Sequence, residues 1–64
     1  MNVRKNQWQV DVLGNTVGMN RPDLQYDLGG VHYNVEFDTD PAASLEHFST
    51  IFANDPASSI DLIF

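Results

Sequence analysis

Two consecutive glycines, Gly29 and Gly30, separate two stretches in which apolar and polar residues alternate strictly. Leu24, Tyr26 and Leu28 alternate with Asp23, Gln25 and Asp27 before the pair, and Val31, Tyr33, Val35 and Phe37 alternate with His32, Asn34, Glu36 and Asp38 after it. Period two marks an extended strand whose sides differ in polarity. A two-residue loop closes two such strands into a hairpin when both loop residues accept positive φ, as glycine does without steric cost. The loop then sets the register: Leu28 faces Val31, Tyr26 faces Tyr33 and Leu24 faces Val35. A slip of one residue would carry every apolar side chain to the other face, so loop chemistry and face matching agree on one pairing.

A second hairpin is expected upstream. Trp8, Val10 and Val12 alternate with Gln7, Gln9 and Asp11, and a Gly14-Asn15 loop would set Val12 opposite Val17 and Val10 opposite Met19. Residues 1–6 read as a flexible N-terminal arm. After the strands, Asp40 is placed to cap a helix with Pro41 at its first position, and Leu45, Phe48, Ile51 and Phe52 recur at helical spacing. The expectation is an α+β fold of two layers, a four-stranded antiparallel meander with one helix over about 41–53 packed on one face. The segment DPASSID at 55–61 echoes DPAASLE at 40–46 and suggests a second cap with a helical turn. The apolar run from Ile60 to Phe64 suits a strand or a short helix; as a strand it would be a fifth, descending antiparallel beside the first.

Sixty-four residues form a single small domain, 1–64, because a chain this short has one core at most. With 42% apolar residues it lies on the folded side of the boundary with disorder. It has no cysteine, hence no disulfide to supplement a small core. The first residues lack the apolar run of a signal peptide, and no stretch approaches the roughly 20 apolar residues of a membrane span. The expectation is a cytoplasmic protein.

The net charge is −6, divided unevenly. Arg4, Lys5 and Arg21 are the only basic residues, and every residue after Arg21 that carries a charge is acidic. If the helix covers the apolar side of the meander, the polar side becomes a solvent-facing plane bearing Asp11, Asp23, Asp27 and Glu36, extended by Asp38 and Asp40 in the next loop. Anions about 7 Å apart along a strand and 4.8 Å apart between strands match the length scale of a phosphate backbone. The function expected on this ground is that of a small acidic binding protein, an inhibitor or antagonist of the kind viruses encode, docking on a basic protein surface as a nucleic-acid mimic. Its partner would itself be a nucleic-acid-binding protein in the host cytoplasm. Direct contact with nucleic acid or membrane is not expected from so anionic a chain.

The alternative is a structural or assembly protein that forms a homodimer through its apolar sheet face and C-terminal segment. A 14-residue helix is about 21 Å long and 10 Å wide and cannot cover four strands by itself. Enzyme readings have little to stand on. Ser44, Ser49 and Thr50 near His47 lie on an exposed helical surface with nothing to exclude water, and no glycine-rich phosphate loop is present. Asp27, His32, Glu36 and His47 are all potential metal ligands, but His32 is expected on the open sheet face and His47 on the helix, with core between them. A hard cation on Glu36, Asp38 and Asp40 lacks the spacing of a calcium loop. No catalytic residue, cofactor or metal is therefore expected.

Overall fold

The computed structural model describes residues 2–63. Strand β1 (Arg4–Lys5) leads, through a long non-strand segment, to β2 (Leu24–Leu28) and β3 (Val31–Phe37); helix α1 (Pro41–Asn54) and strand β4 (Ser59–Ile63) follow. The strands form one sheet in the order β1-β2-β3-β4. The fold is α+β, a four-stranded sheet with one helix packed on it.

The glycine hairpin has the register expected of it: Leu24 pairs with Val35, Tyr26 with Tyr33 and Leu28 with Val31. Gly29 and Gly30 have φ of 60° and 79°, both in the left-handed region that favours glycine in a two-residue hairpin loop. Helix α1 begins where the cap was expected, with the Asp40 carboxylate accepting the Ala42 N–H at 3.0 Å and Pro41 as the first helical residue.

Several expectations need correction. Residues 7–20 do not enter the sheet; their strand character is reduced to a single antiparallel bridge, Val10 with Thr16. The fourth strand is supplied instead by the arm expected to be loose, where Arg4 and Lys5 pair with Gln25 and Leu24. The C-terminal strand does not lie beside the first. It runs parallel to β3, with Tyr33 opposite Ser59 and Phe37 opposite Ile63, so the sheet is mixed rather than wholly antiparallel. The cause is length: a helix of 14 residues spans about 21 Å, close to the roughly 23 Å of a seven-residue strand, and returns the chain to the start of β3. A strand leaving that point descends alongside β3, where an open edge awaits it. Residues 55–58 make no helical turn; they form a tight turn in which the Ser58 N–H and hydroxyl both donate to the Asp55 carbonyl. Phe64 lies outside the described residues.

The largest departure concerns which side of the sheet is covered. Helix α1 and residues 7–20 lie over the polar side, so that Gln25, His32, Asn34 and Glu36 are buried. The apolar side is open: Leu28 is 54%, Phe37 56% and Ile63 47% exposed. Among the described residues, Val35 is the one buried residue of that side, where the rings of Tyr26 and Tyr33 stack 4.9 Å apart. The interior is consequently an amide network. Gln25 Nε2 donates to the carbonyls of Gln7 and Trp8, and its Oε1 accepts the Val10 N–H. Gln9 Nε2 donates to the Ile51 carbonyl, while its Oε1 accepts from the side-chain amides of Asn20 and Asn54. Such a core is tolerable because nearly every buried donor and acceptor finds a partner.

Candidate functional site

Around the end of β3 the chain brings four titratable side chains together under the helix. Glu36 is the last residue of β3 to point to the covered side, and it is 6% exposed. Asp38 follows the strand and is held to β4 by its N–H donating to the Ile63 carbonyl at 2.9 Å. The connection to Asp40 is so short that α1 turns back over the strand, setting His47 above both acids. Its Nδ1 lies 3.1 Å from Asp38 Oδ2 and 3.8 Å from Glu36 Oε2. Asp23, just before β2, completes the group while its carboxylate accepts the Phe37 N–H at 2.8 Å. A pocket of about 260 Å³ opens over these residues, with Arg21 and Thr50 also on its wall.

The electrostatics follow from this crowding. Burial, reinforced by the Asp23 charge and opposed by His47, pushes the Glu36 carboxyl up to about 7 from its ordinary 4.5. The hydrogen bond from His47 to Asp38 raises the imidazole above its ordinary value against the effect of desolvation. Donor atoms of Glu36, Asp38 and His47 all lie within 4.8 Å of one another. The arrangement can hold a proton or a cation, and neither strand nor helix alone provides it.

The six acids expected on one exposed plane are distributed otherwise. Asp11 closes its own loop, its Oδ1 accepting the N–H groups of Leu13 and Asn15, which hold its carboxyl below the usual range. Asp23 and Glu36 belong to the pocket. Asp27 receives the His32 Nδ1 at 2.6 Å, and that hydrogen bond depresses its pKa. Asp38 faces His47, and Asp40 caps the helix. His32 is not on an open face: it is 2% exposed, and its two ring nitrogens meet Asp27 and Gln25. His32 and His47 are engaged separately, as expected, but His47 and Glu36 meet where a layer of core was expected to part them.

Alternation alone does not reveal the pocket, because it puts Glu36 on the solvent side, whereas the side chain is buried. The signal that could have found it is the short Asp38-Thr39-Asp40 connection. A helix starting after a three-residue connection must fold back across the strand's final residues, and its second turn carries His47.

The second candidate is the open apolar face. Residues directly opposite in a ladder share a side, so Lys5 joins Leu24, and Ser59, Asp61 and Ile63 join Tyr33, Val35 and Phe37. One row therefore reads Lys5, Leu24, Val35, Asp61 across the sheet, a cation at one edge and an anion at the other. Compared with family models, with characterised proteins and with solved structures, the chain matches none.

Proposed function

We propose that the protein is an assembly protein that pairs with a second copy of itself through its open apolar sheet face. The observation carrying this reading is that face itself. Seven residues of β3 at about 3.3 Å, crossed by four strands at about 4.8 Å, give a plane roughly 20 Å on a side. Exposed apolar patches of a few hundred Å² on a monomer commonly mark interaction sites.

The charges at its rim favour a second copy over an unrelated chain. A two-fold axis lying in the interface and parallel to the strands places β1 of one copy over β4 of the other. Lys5 then faces Asp61 twice, while β2 covers β3 with apolar residues throughout the middle. This is the self-complementary form of a two-fold interface, with sheets aligned as in a sandwich. An area at the low end for specific complexes calls for a dimer that dissociates on dilution.

The docking of an acidic plane on a basic partner has weaker support, since Glu36 is roofed and the other five acids are spread over loops, pocket and helix cap. Sedimentation equilibrium of the full chain separates the two. Self-association that persists at high salt and is lost in Phe37→Asp, with circular dichroism unchanged, supports the apolar face. A wild-type chain that stays monomeric at millimolar concentration overturns it and returns attention to a charged partner.

A further inference from the structure

We propose that Glu36, Asp38 and His47 form a binding site for a divalent transition ion of the zinc class, one ion per chain. Zinc bonds imidazole nitrogen at about 2.0–2.1 Å and carboxylate oxygen at about 2.0–2.2 Å, so two ligand atoms of a tetrahedral site stand roughly 3.4 Å apart. The observed separations from His47 Nδ1, 3.1 Å to Asp38 and 3.8 Å to Glu36, bracket that value. All three ligand atoms lie within 4.8 Å of one another, so they already converge on one point.

A second observation is independent of the spacing. The Glu36 side chain is more than nine-tenths buried, and the group within its hydrogen-bond reach is another acid, Asp23, while the nearest nitrogen, His47 Nδ1, stands 3.8 Å away. Its polar neighbours are the Asp23 and Asp38 carboxylates and the His47 ring. Buried anions in folded proteins are paired with a cation or bound to a metal. Two substitutes present themselves, a proton shared with Asp23 or a cation in the pocket. The imidazole favours the cation, because its Nδ1, a nitrogen ligand suited to a zinc-class ion, is turned toward both acids.

The donor set also selects among ions. Two carboxylates and a neutral imidazole neutralise a doubly charged ion, and mixed nitrogen and oxygen ligation suits zinc and its neighbours. Calcium requires six to eight oxygens and magnesium an octahedron of oxygens, neither of which three side chains supply. Three protein ligands leave a fourth position facing the pocket, open to water. Arg21 lines the same pocket but makes no ion pair with the three ligands among the described residues. The site is on the covered side of the sheet, so it stands or falls independently of the apolar face.

The test is calorimetric titration of the full chain with zinc chloride at neutral pH, paired with cobalt(II) absorption, whose visible bands report tetrahedral geometry. Saturation at one ion per chain is expected, with at least tenfold weaker binding in His47→Ala and in Asp38→Asn. His47 is half exposed and Asp38 acts here through its side chain, so both variants keep the fold, which circular dichroism verifies. Failure to saturate at millimolar zinc overturns the proposal. So does affinity unchanged in His47→Ala, or calcium and magnesium binding as tightly as zinc, since a loose cluster of acids would do either.

Discussion

Asp27 and His32 are opposite each other in the hairpin ladder, carboxylate Oδ1 2.6 Å from ring Nδ1, on the covered side of the sheet. The imidazole is 2% exposed, whereas a fifth of the aspartate side chain reaches solvent. The pair joins the sheet to residues 7–10, because the other ring nitrogen meets Gln25 Oε1, which also accepts the Val10 N–H.

Asp27→Asn should therefore weaken the fold by about 2 kcal/mol, the scale of a partly buried hydrogen bond to a charged group. Its carboxyl titrates below 3.8 in the folded chain, chiefly because of the His32 bond. The folded state thus binds that proton less readily than the unfolded state, and the stabilisation is complete above 3.8 and lost as pH falls through the lower folded value. Urea unfolding of both proteins checks this. The difference should be full at neutral pH and vanish in strong acid; a difference independent of pH would mean that the carboxylate charge plays no part.

Ser44 gives the opposite sign. Its hydroxyl is buried under the helix without a hydrogen-bond partner among the described residues. An unsatisfied buried hydroxyl costs about 1–3 kcal/mol, and alanine is also the better helix former. Ser44→Ala should raise stability by about 1 kcal/mol, or the melting temperature by about 5 °C in a chain this small. A lower melting temperature would show that the hydroxyl has a partner in solution, for which ordered water is the natural candidate.

Glu36 supplies the pH dependence at the neutral end. It holds its proton to about 7 in the folded chain and to 4.5 in the unfolded one, through burial first and the Asp23 charge second. Between those values the folded chain retains a proton that the unfolded chain has released, so stability falls as pH rises through this window and levels off above it. Glu36→Gln should remove the slope, leaving the variant about 2 kcal/mol more stable than wild type at pH 8 and nearly equal to it at pH 4. Denaturation at the two pH values, in buffer containing a chelator, measures the difference without interference from metal ions.

What the sequence made legible is the set of features fixed locally. Gly29-Gly30 and the alternation around them specify the hairpin to the residue, and Asp40-Pro41 specify the helix start. Alternation divides Leu24 to Phe37 into two faces, but a period of two is indifferent to which face is covered. The expectation that apolar residues go inside chose Tyr26, Val31 and Phe37 for the core. The amides of Gln9, Asn20 and Asn54 instead satisfy the face of Gln25 and His32, leaving the oily side outward. Residues 8–19 alternate as a strand does, yet their backbone groups pair with one another and with Gln25 rather than with a ladder. The pocket depended on that choice of face, so its residues were individually visible and their meeting was not.

The row Lys5, Leu24, Val35, Asp61 allows the proposed two-fold to be tested by charge exchange. With the axis parallel to the strands, each Lys5 meets the second copy's Asp61, and a dimer contains the pair twice. Lys5→Glu replaces two attractions by two repulsions, and Asp61→Lys does the same with opposite sign. Solvent-exposed pairs contribute about 0.2–1 kcal/mol each, so either variant should weaken dimerisation by about fivefold or more. The double variant restores attraction at both places and should recover most of the wild-type affinity. Recovery depends on the axis: a two-fold running across the strands sets Lys5 against Lys5 and Asp61 against Asp61, and the double variant then remains as repulsive as the wild type. Sedimentation of the four proteins at low salt separates the two geometries. Simple addition of the single effects in the double variant would rule out the strand-parallel axis while leaving the apolar face itself to the Phe37→Asp test.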